Sequence, residues 1–482
     1  MNLIFSIWNN VLIYIIGIFA ISIYYSRKIK TADEYTMANF SLGFFPICGT
    51  IIATSLGSAA VIGSSGKGFE IGIGWILTKF PVALFSILLA VVLGSTIRKL
   101  KLYTLPDLFV RRFGKASGII PSLIISILYM TPTFGMQIVG MGSVLTIAFD
   151  VSVTTAMLIG FVICVMFTLM GGLPSVAWTD AVQSVLILAG LIFLFVLGLN
   201  YVGGADVVIS NTSSDTLNLF SMETTELINY LIIFGPFYLV WQTSWQRIAA
   251  AKTEKIAVRA VSTGFIITFI IAFFSIGIGI IAQQVLPAGT DPDLVYTEFL
   301  AAVAHPAIGG LFMVSLFAAV LTGATSFLLS GAMNISKDIY QGWIKPDATS
   351  REVLKISRLS VAGMAFIGLL VALFITDVIA IYSYALALSA ITMVFPVLAA
   401  MFWRRATKQG VIISVIGSLI VSVIWSLLGQ PFGWHEIIPG MITSFVLLIS
   451  VSLMTQHSDD ENVVAYYFDL KNEEDPAQTN VS

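Results

Sequence analysis

The chain has 482 residues, of which 57% are hydrophobic and only 10% charged, with a formal net charge of −2 at pH 7. A soluble domain usually carries about 25% charged residues. The deficit, with a mean hydropathy of +0.96, excludes an ordinary water-solvated fold and fits a chain solvated by lipid. The charge balance also excludes nucleic acid as a partner, because no basic patch stands clear of the apolar segments. Cys48 and Cys164 both fall in apolar stretches and read as small core residues rather than a redox pair.

A membrane span needs about 20 mostly apolar residues, and the chain reads as an all-α membrane protein of about 13 transmembrane helices. The first apolar run, from Leu3 to Tyr25, is long enough to span and reads as a helix rather than a cleaved leader. Charge supplies the orientation, since cytoplasmic loops collect Lys and Arg. With the N-terminus outside and strict alternation, the basic residues of 27–30, 98–115, 247–259, 337–358 and 404–408, and Lys471, all fall inside. The long outer loops 203–225 and 286–303 carry acids and no bases. Lys67 and Lys79 are the two exceptions, at the outer end of the second span and within the third. The polar, acidic segment 457–482 reads as a cytoplasmic tail.

Two spans look broken. The second, GTIIATSLGSAAVIGSSGKGFEIG, is too rich in Gly and Ser for one continuous helix. The seventh, LIIFGPFYLVWQTSWQR, has Gly235-Pro236 at its middle. Transporters place ion and solute sites at such breaks, in corresponding positions of an inverted repeat. These two spans are five apart, which fits repeats over spans 2–6 and 7–11. The expected division is 1–41 for the first helix and its cytoplasmic loop and 42–203 for repeat one. Repeat two is 226–403, spans 12 and 13 occupy 404–456, and the tail is 457–482.

A broken helix exposes carbonyl oxygens, and a hard cation seeks oxygen ligands. Hydroxyls for such a shell lie in the ninth span, where Thr322, Thr325 and Ser326 share one helical face. The alternative is that each hydroxyl bonds back to its own preceding turn. Asp180, entering the sixth span, is either a functional intramembrane carboxylate or a helix N-cap.

Five segments together resemble the sodium:solute symporter family, which includes bacterial proline, sialic acid and galactose symporters. They are IATSLGSAAVIGSSGKGF, YTLPDLFVRRFGK, GGLPSVAWTDAVQ, WQRIAAAK, and AAVLTGATS followed by NISKDIY. The resemblance covers nearly the whole chain. It implies a five-plus-five inverted repeat (LeuT-like) with extra helices, alternating access and Na+ as coupling ion, with no other cofactor. The family's main sodium site maps to the carbonyls of Ala53, Leu56 and Ala319 and the hydroxyl of Thr322. Its second hydroxyl position is Gly323, which has no side chain. A lower sodium site found in some members maps to Asp180, Thr322, Thr325 and Ser326, all with suitable oxygens.

The resemblance also places the solute pocket among spans 2, 3, 7 and 11. The sugar-contacting glutamine and acid become Ala60 and Lys79, and the matching positions of span 7 are Phe234 and Phe237, with Tyr238 beside them. A hexose is disfavoured. Lys79 points to an anionic or zwitterionic solute, because a charge at that depth needs pairing. Its alternatives are a structural pair with Glu70 or another acid, snorkelling, or a neutral amine carrying a coupling proton. Gln137 in span 4 is either a pocket residue or a helix–helix hydrogen bond.

The expected function is secondary active symport of a small organic solute with Na+ across a bacterial-type inner membrane. The alternatives are a proton-coupled or weakly cation-coupled transporter of the same fold, and a solute-sensing receptor. No nucleophile elbow, phosphate loop or zinc pattern supports an enzyme.

Overall fold

The computed structural model describes residues 2–27 and 31–456. The acidic tail, with Lys28 and Lys30 of the first inner cluster, lies outside the described residues.

Helix α1 covers Asn2–Ser26. The second expected span is two pieces, α2 (Phe44–Ser55) and α3 (Ala59–Glu70), bent by 58°. Then come α4 (Ile73–Leu100), α5 (Lys115–Phe149), α6 (Val153–Met170) and α7 (Gly172–Val202). The seventh expected span is also divided, into α8 (Thr224–Phe234), a 3-10 turn at Pro236–Leu239, and α9 (Gln242–Ala250). The rest are α10 (Glu254–Ala282), α11 (Gly309–Ile344), α12 (Ser350–Phe374), α13 (Val378–Phe402), α14 (Lys408–Leu427) and α15 (Ile437–Met454).

Among the described residues, ten helices are long and apolar enough to cross a membrane, and the bent α2–α3 pair makes an eleventh. The fold is all-α, as the hydropathy implies. Both broken spans break where the Gly, Ser and Pro content predicts. Ser55 ends α2, and the chain resumes as one wide turn at Ala59–Gly63. Pro236 has no N–H to donate, so α8 stops at Phe234.

Helix α11 is the most enclosed of these helices, with 94% of its apolar window buried. It packs against α1, α2, α5 and the α6–α7 pair, and so forms the axis around which the broken pieces gather. Helices α14 and α15 pair with each other at the periphery and bury only about a third of their windows (33% and 28%).

The half-helix α3 lies directly on α10. Ser65 Oγ donates to the Ser275 carbonyl at 2.9 Å. A Cβ on Gly279 would stand 1.9 Å from the Ser65 carbonyl oxygen, so only glycine admits this approach. A lipid-embedded interface gains its stability from such close backbone packing. Gly279→Ala is therefore expected to cost about 1–3 kcal/mol through overpacking, read as a lower apparent Tm in detergent. Gly363→Ala, at a position with open space around it, is the control and is expected to melt with the wild type.

Candidate ion and solute sites

The end of α2 meets the middle of α11. Thr322 Oγ1 lies 2.9 Å from both the Ala53 and the Ala319 carbonyl oxygens, donating to them. Leu56 follows directly where the helix ends, its backbone already off the helical track (φ −94°, ψ 36°). Two of the carbonyl oxygens expected for the upper cation cage are thus within hydrogen-bond reach of its expected hydroxyl. All are shielded: Ala53, Leu56, Ala319 and Thr322 are buried.

About one helical turn further along α2 and α11 is a second polar cluster. Thr50 Oγ1 donates to Asp180 Oδ2 at 2.5 Å. The hydroxyls of Thr54 and Ser326 share a hydrogen bond of 3.0 Å. Asp180 is fully buried, and its Oδ1 has no hydrogen-bond partner. An orphaned carboxylate oxygen in the bundle interior is the donor type a cation takes. Asp180 and Ser326, two of the lower-site residues, therefore share this cluster. Thr322 turns its hydroxyl to the upper cage, and Thr325 donates back to the Thr322 carbonyl at 3.2 Å, the local bond that competes with ion ligation.

Three further members of the cluster escape the sequence reading. Thr50 and Thr54 are one turn apart on α2, a pairing visible in the sequence. Arg247 is less visible, because it reads as one of the inner flanking charges. It is instead completely buried. All nine residues of α9 are buried, so its arginine has only the interior to enter. Its Nη2 donates to Ser326 Oγ at 2.8 Å, and Nη1 donates to Gln246 Oε1 at 2.9 Å. A longer contact of 3.5 Å reaches Thr50 Oγ1. A fixed guanidinium therefore stands beside the lower acid, with Thr50 and Ser326 between them.

A cavity opens between the broken spans. Lys79, Ala60, Gln137, Phe234 and Tyr238 all border it. Phe237 does not, and that expectation is corrected: its ring packs on Tyr129 at 4.9 Å and is wholly buried in the core. The 3-10 turn after Pro236 directs adjacent side chains to different sides, so Tyr238 reaches the cavity and Phe237 does not. Sequence reasoning also missed Tyr382 of α13, whose hydroxyl bonds that of Tyr238 at 2.6 Å. Phe234 stacks on Tyr382 with ring centroids 5.7 Å apart, completing an aromatic wall.

Lys79 sits against this wall. Its Nζ is 5.1 Å from the Trp75 ring centroid and 5.7 Å from that of Phe234, inside the range of cation–π attraction. No described carboxylate forms an ion pair with it. The structural pairing with Glu70 is excluded, because Glu70 binds Lys67 at 2.7 Å. Gln137 borders the cavity and accepts hydrogen bonds from Ser58 N and Oγ at 2.9 and 2.7 Å.

Residues 35–418 match the model of the sodium:solute symporter family. The chain belongs to that family. Its relatives include the osmoregulated proline transporter OpuE of Bacillus subtilis, 26% identical over 92% of this chain and 94% of that one. The sodium/pantothenate symporter of Escherichia coli is 24% identical over 90% and 94%. Among solved structures, a Na+-coupled sialic acid symporter in a substrate-bound outward-open state superposes with a TM-score of 0.79. It shares 20% identity and covers 94% of this chain and 98% of that one. The chain is accordingly a multi-pass membrane transporter, not an enzyme. Family membership supports Na+-coupled symport of a small organic solute.

The lower cluster yields a test. Asp180→Asn leaves the Arg247 guanidinium without its nearby opposite charge. Removing one side of a buried charge arrangement costs about 3 kcal/mol or more, so the apparent Tm is expected to fall markedly. Asp180→Asn with Arg247→Met removes both charges and is expected to recover a large part of the loss. Additive losses in the two single variants would show that the two charges do not compensate each other.

Proposed function

We propose that this protein imports a small carboxylate-bearing solute together with Na+ by alternating access. Residues 42–203 and 226–403 form the two inverted repeats. The N-terminus lies outside and the C-terminus in the cytoplasm, a topology supported by the segregation of basic residues to one set of loops.

One observation carries the solute class. Lys79 places its amine on the cavity wall with aromatic faces around it and no ion-paired carboxylate among the described residues. Cation–π contact alone compensates a buried ammonium only in part, so the remaining partner is the solute. Proline, pantothenate and sialic acid, named for three of the similar proteins, all bear a carboxylate, whereas glucose, named for another, does not. The upper cage of Ala53, Leu56, Ala319 and Thr322 is the reading for the coupling ion. In the lower cluster, Asp180, Ser326, Thr50 and Thr54 supply oxygens beside a resident guanidinium. That guanidinium supports a second reading, in which the lower site is already charge-compensated and coupling is weak or carried by protons.

Uptake into proteoliposomes separates these readings. L-proline, pantothenate and sialic acid are offered in an inward Na+ gradient, with glucose as the uncharged control. Na+-stimulated uptake of a carboxylate solute is expected. Lys79→Gln is expected to raise its KM by about tenfold or more, as loss of one charge-assisted hydrogen bond implies. Thr322→Ala, which removes the hydroxyl of the upper cage, is expected to weaken the Na+ stimulation more than Ala60→Ser. Uptake indifferent to Na+ but driven by a pH gradient would replace Na+ with protons. Binding without counterflow would mean a receptor.

A further inference from the structure

The missing side chain at Gly323 has a structural counterpart in Gln137. This residue projects from the middle of α5 and is buried. Its Oε1 accepts from both the backbone N–H and the hydroxyl of Ser58. A backbone N–H can only donate, so the amide oxygen must face Ser58 and the NH2 end must face away. There it lies between two glycines. A Cβ on Gly323 would stand 2.7 Å from Nε2 and 2.8 Å from Cδ, and one on Gly57 would stand 2.7 Å from Nε2. Both glycines therefore make room for this amide. No bond from that NH2 to a described residue accompanies the two that fix the oxygen, and the residue borders the cavity.

We propose that Gln137 sets the affinity of the upper ion site, by holding a hydrogen-bond donor where a side-chain oxygen at position 323 would otherwise ligate the cation. An NH2 group cannot ligate Na+, and both lone-pair directions of Oε1 are taken by Ser58. The protein's own cage therefore stops at the carbonyls of Ala53, Leu56 and Ala319 and the Thr322 hydroxyl. The NH2 is left to meet an acceptor oxygen of the solute, a carboxylate or a carbonyl, next to the ion. The ion and the solute then share one corner of the cavity, and the solute restores the negative character that the glycine removes. This inference rests on the reading of the upper cage as the Na+ site.

The experiment uses Na+ itself as probe. Full-length purified protein is titrated with NaCl against KCl at constant total salt, without solute. Tryptophan fluorescence is the readout, since Trp241 borders the cavity. Gln137→Glu preserves length and the acceptor for Ser58 but puts an oxygen in place of the NH2. It is expected to lower the Na+ concentration at half-saturation by about tenfold or more, the effect of adding one charged oxygen ligand. Gly323→Ser alone is expected to lower the apparent Tm, because the new side chain meets the amide. Gly323→Ser with Gln137→Ala, which clears the space for the new hydroxyl, is expected to bind Na+ more tightly than the wild type.

Unchanged or weaker Na+ binding in Gln137→Glu, or Gly323→Ser melting with the wild type, overturns the proposal. A wild type that responds to Na+ alongside an unresponsive Gln137→Glu overturns this proposal alone. A wild type blind to Na+ whose Gln137→Glu variant responds supports it, and then counts against Na+ symport by the unaltered protein.

Discussion

The structure turns on one constraint: a backbone that leaves its helix inside a membrane must find partners for its freed polar groups. At the end of α2 those partners come from outside the helix. The Thr322 hydroxyl bridges the carbonyls of Ala53 and Ala319, and Gln137 caps the freed N–H of Ser58. Each hydrogen bond stabilises the broken conformation, because an unpaired amide in a hydrocarbon environment costs several kcal/mol, about as much as the break could otherwise gain. Helices α11 and α5 both reach the break, and α11 does so from the enclosed axis of the bundle. The cavity is the space left over beside it.

The same constraint explains why polar residues cluster in layers along α2 and α11. Thr50 and Thr54 face Asp180 and Ser326, while Ala53 faces Thr322 one step around the helix. Two adjacent faces of the same helix thus serve two different clusters. Arg247 enters the lower one from α9, the short helix beyond the second break. Both broken spans therefore contribute to one polar interior, the first through exposed carbonyls and the second through a buried cation.

Much of this was legible in the sequence. The spans and both breaks follow from hydropathy and from Gly235-Pro236, because lipid makes those signals strict. The residues proposed for the upper cage, and Ala60, Lys79, Phe234 and Tyr238 beside the cavity, are singled out by motif resemblance. Arg247 was not legible as an interior charge, because a basic residue after an apolar run usually marks a membrane flank. Phe237 and Tyr238 could not be told apart, since a 3-10 turn sends neighbours to different sides and the sequence shows only that both are aromatic. The counterpart of Gly323 was also hidden. A missing side chain is visible in one dimension, but the amide filling its volume comes from a residue 186 positions away in the chain (323 − 137), and only packing joins them.

Arg247 has an electrical consequence. A carrier that returns empty across the membrane with a bare Asp180 would drag a net negative charge through the field, at about 2.3 kcal/mol per elementary charge per 100 mV. With the guanidinium anchored on Ser326 beside the acid, the two formal charges cancel before any ion arrives. Membrane voltage then has little grip on the unloaded carrier, and its pull falls on the steps in which an ion enters or leaves.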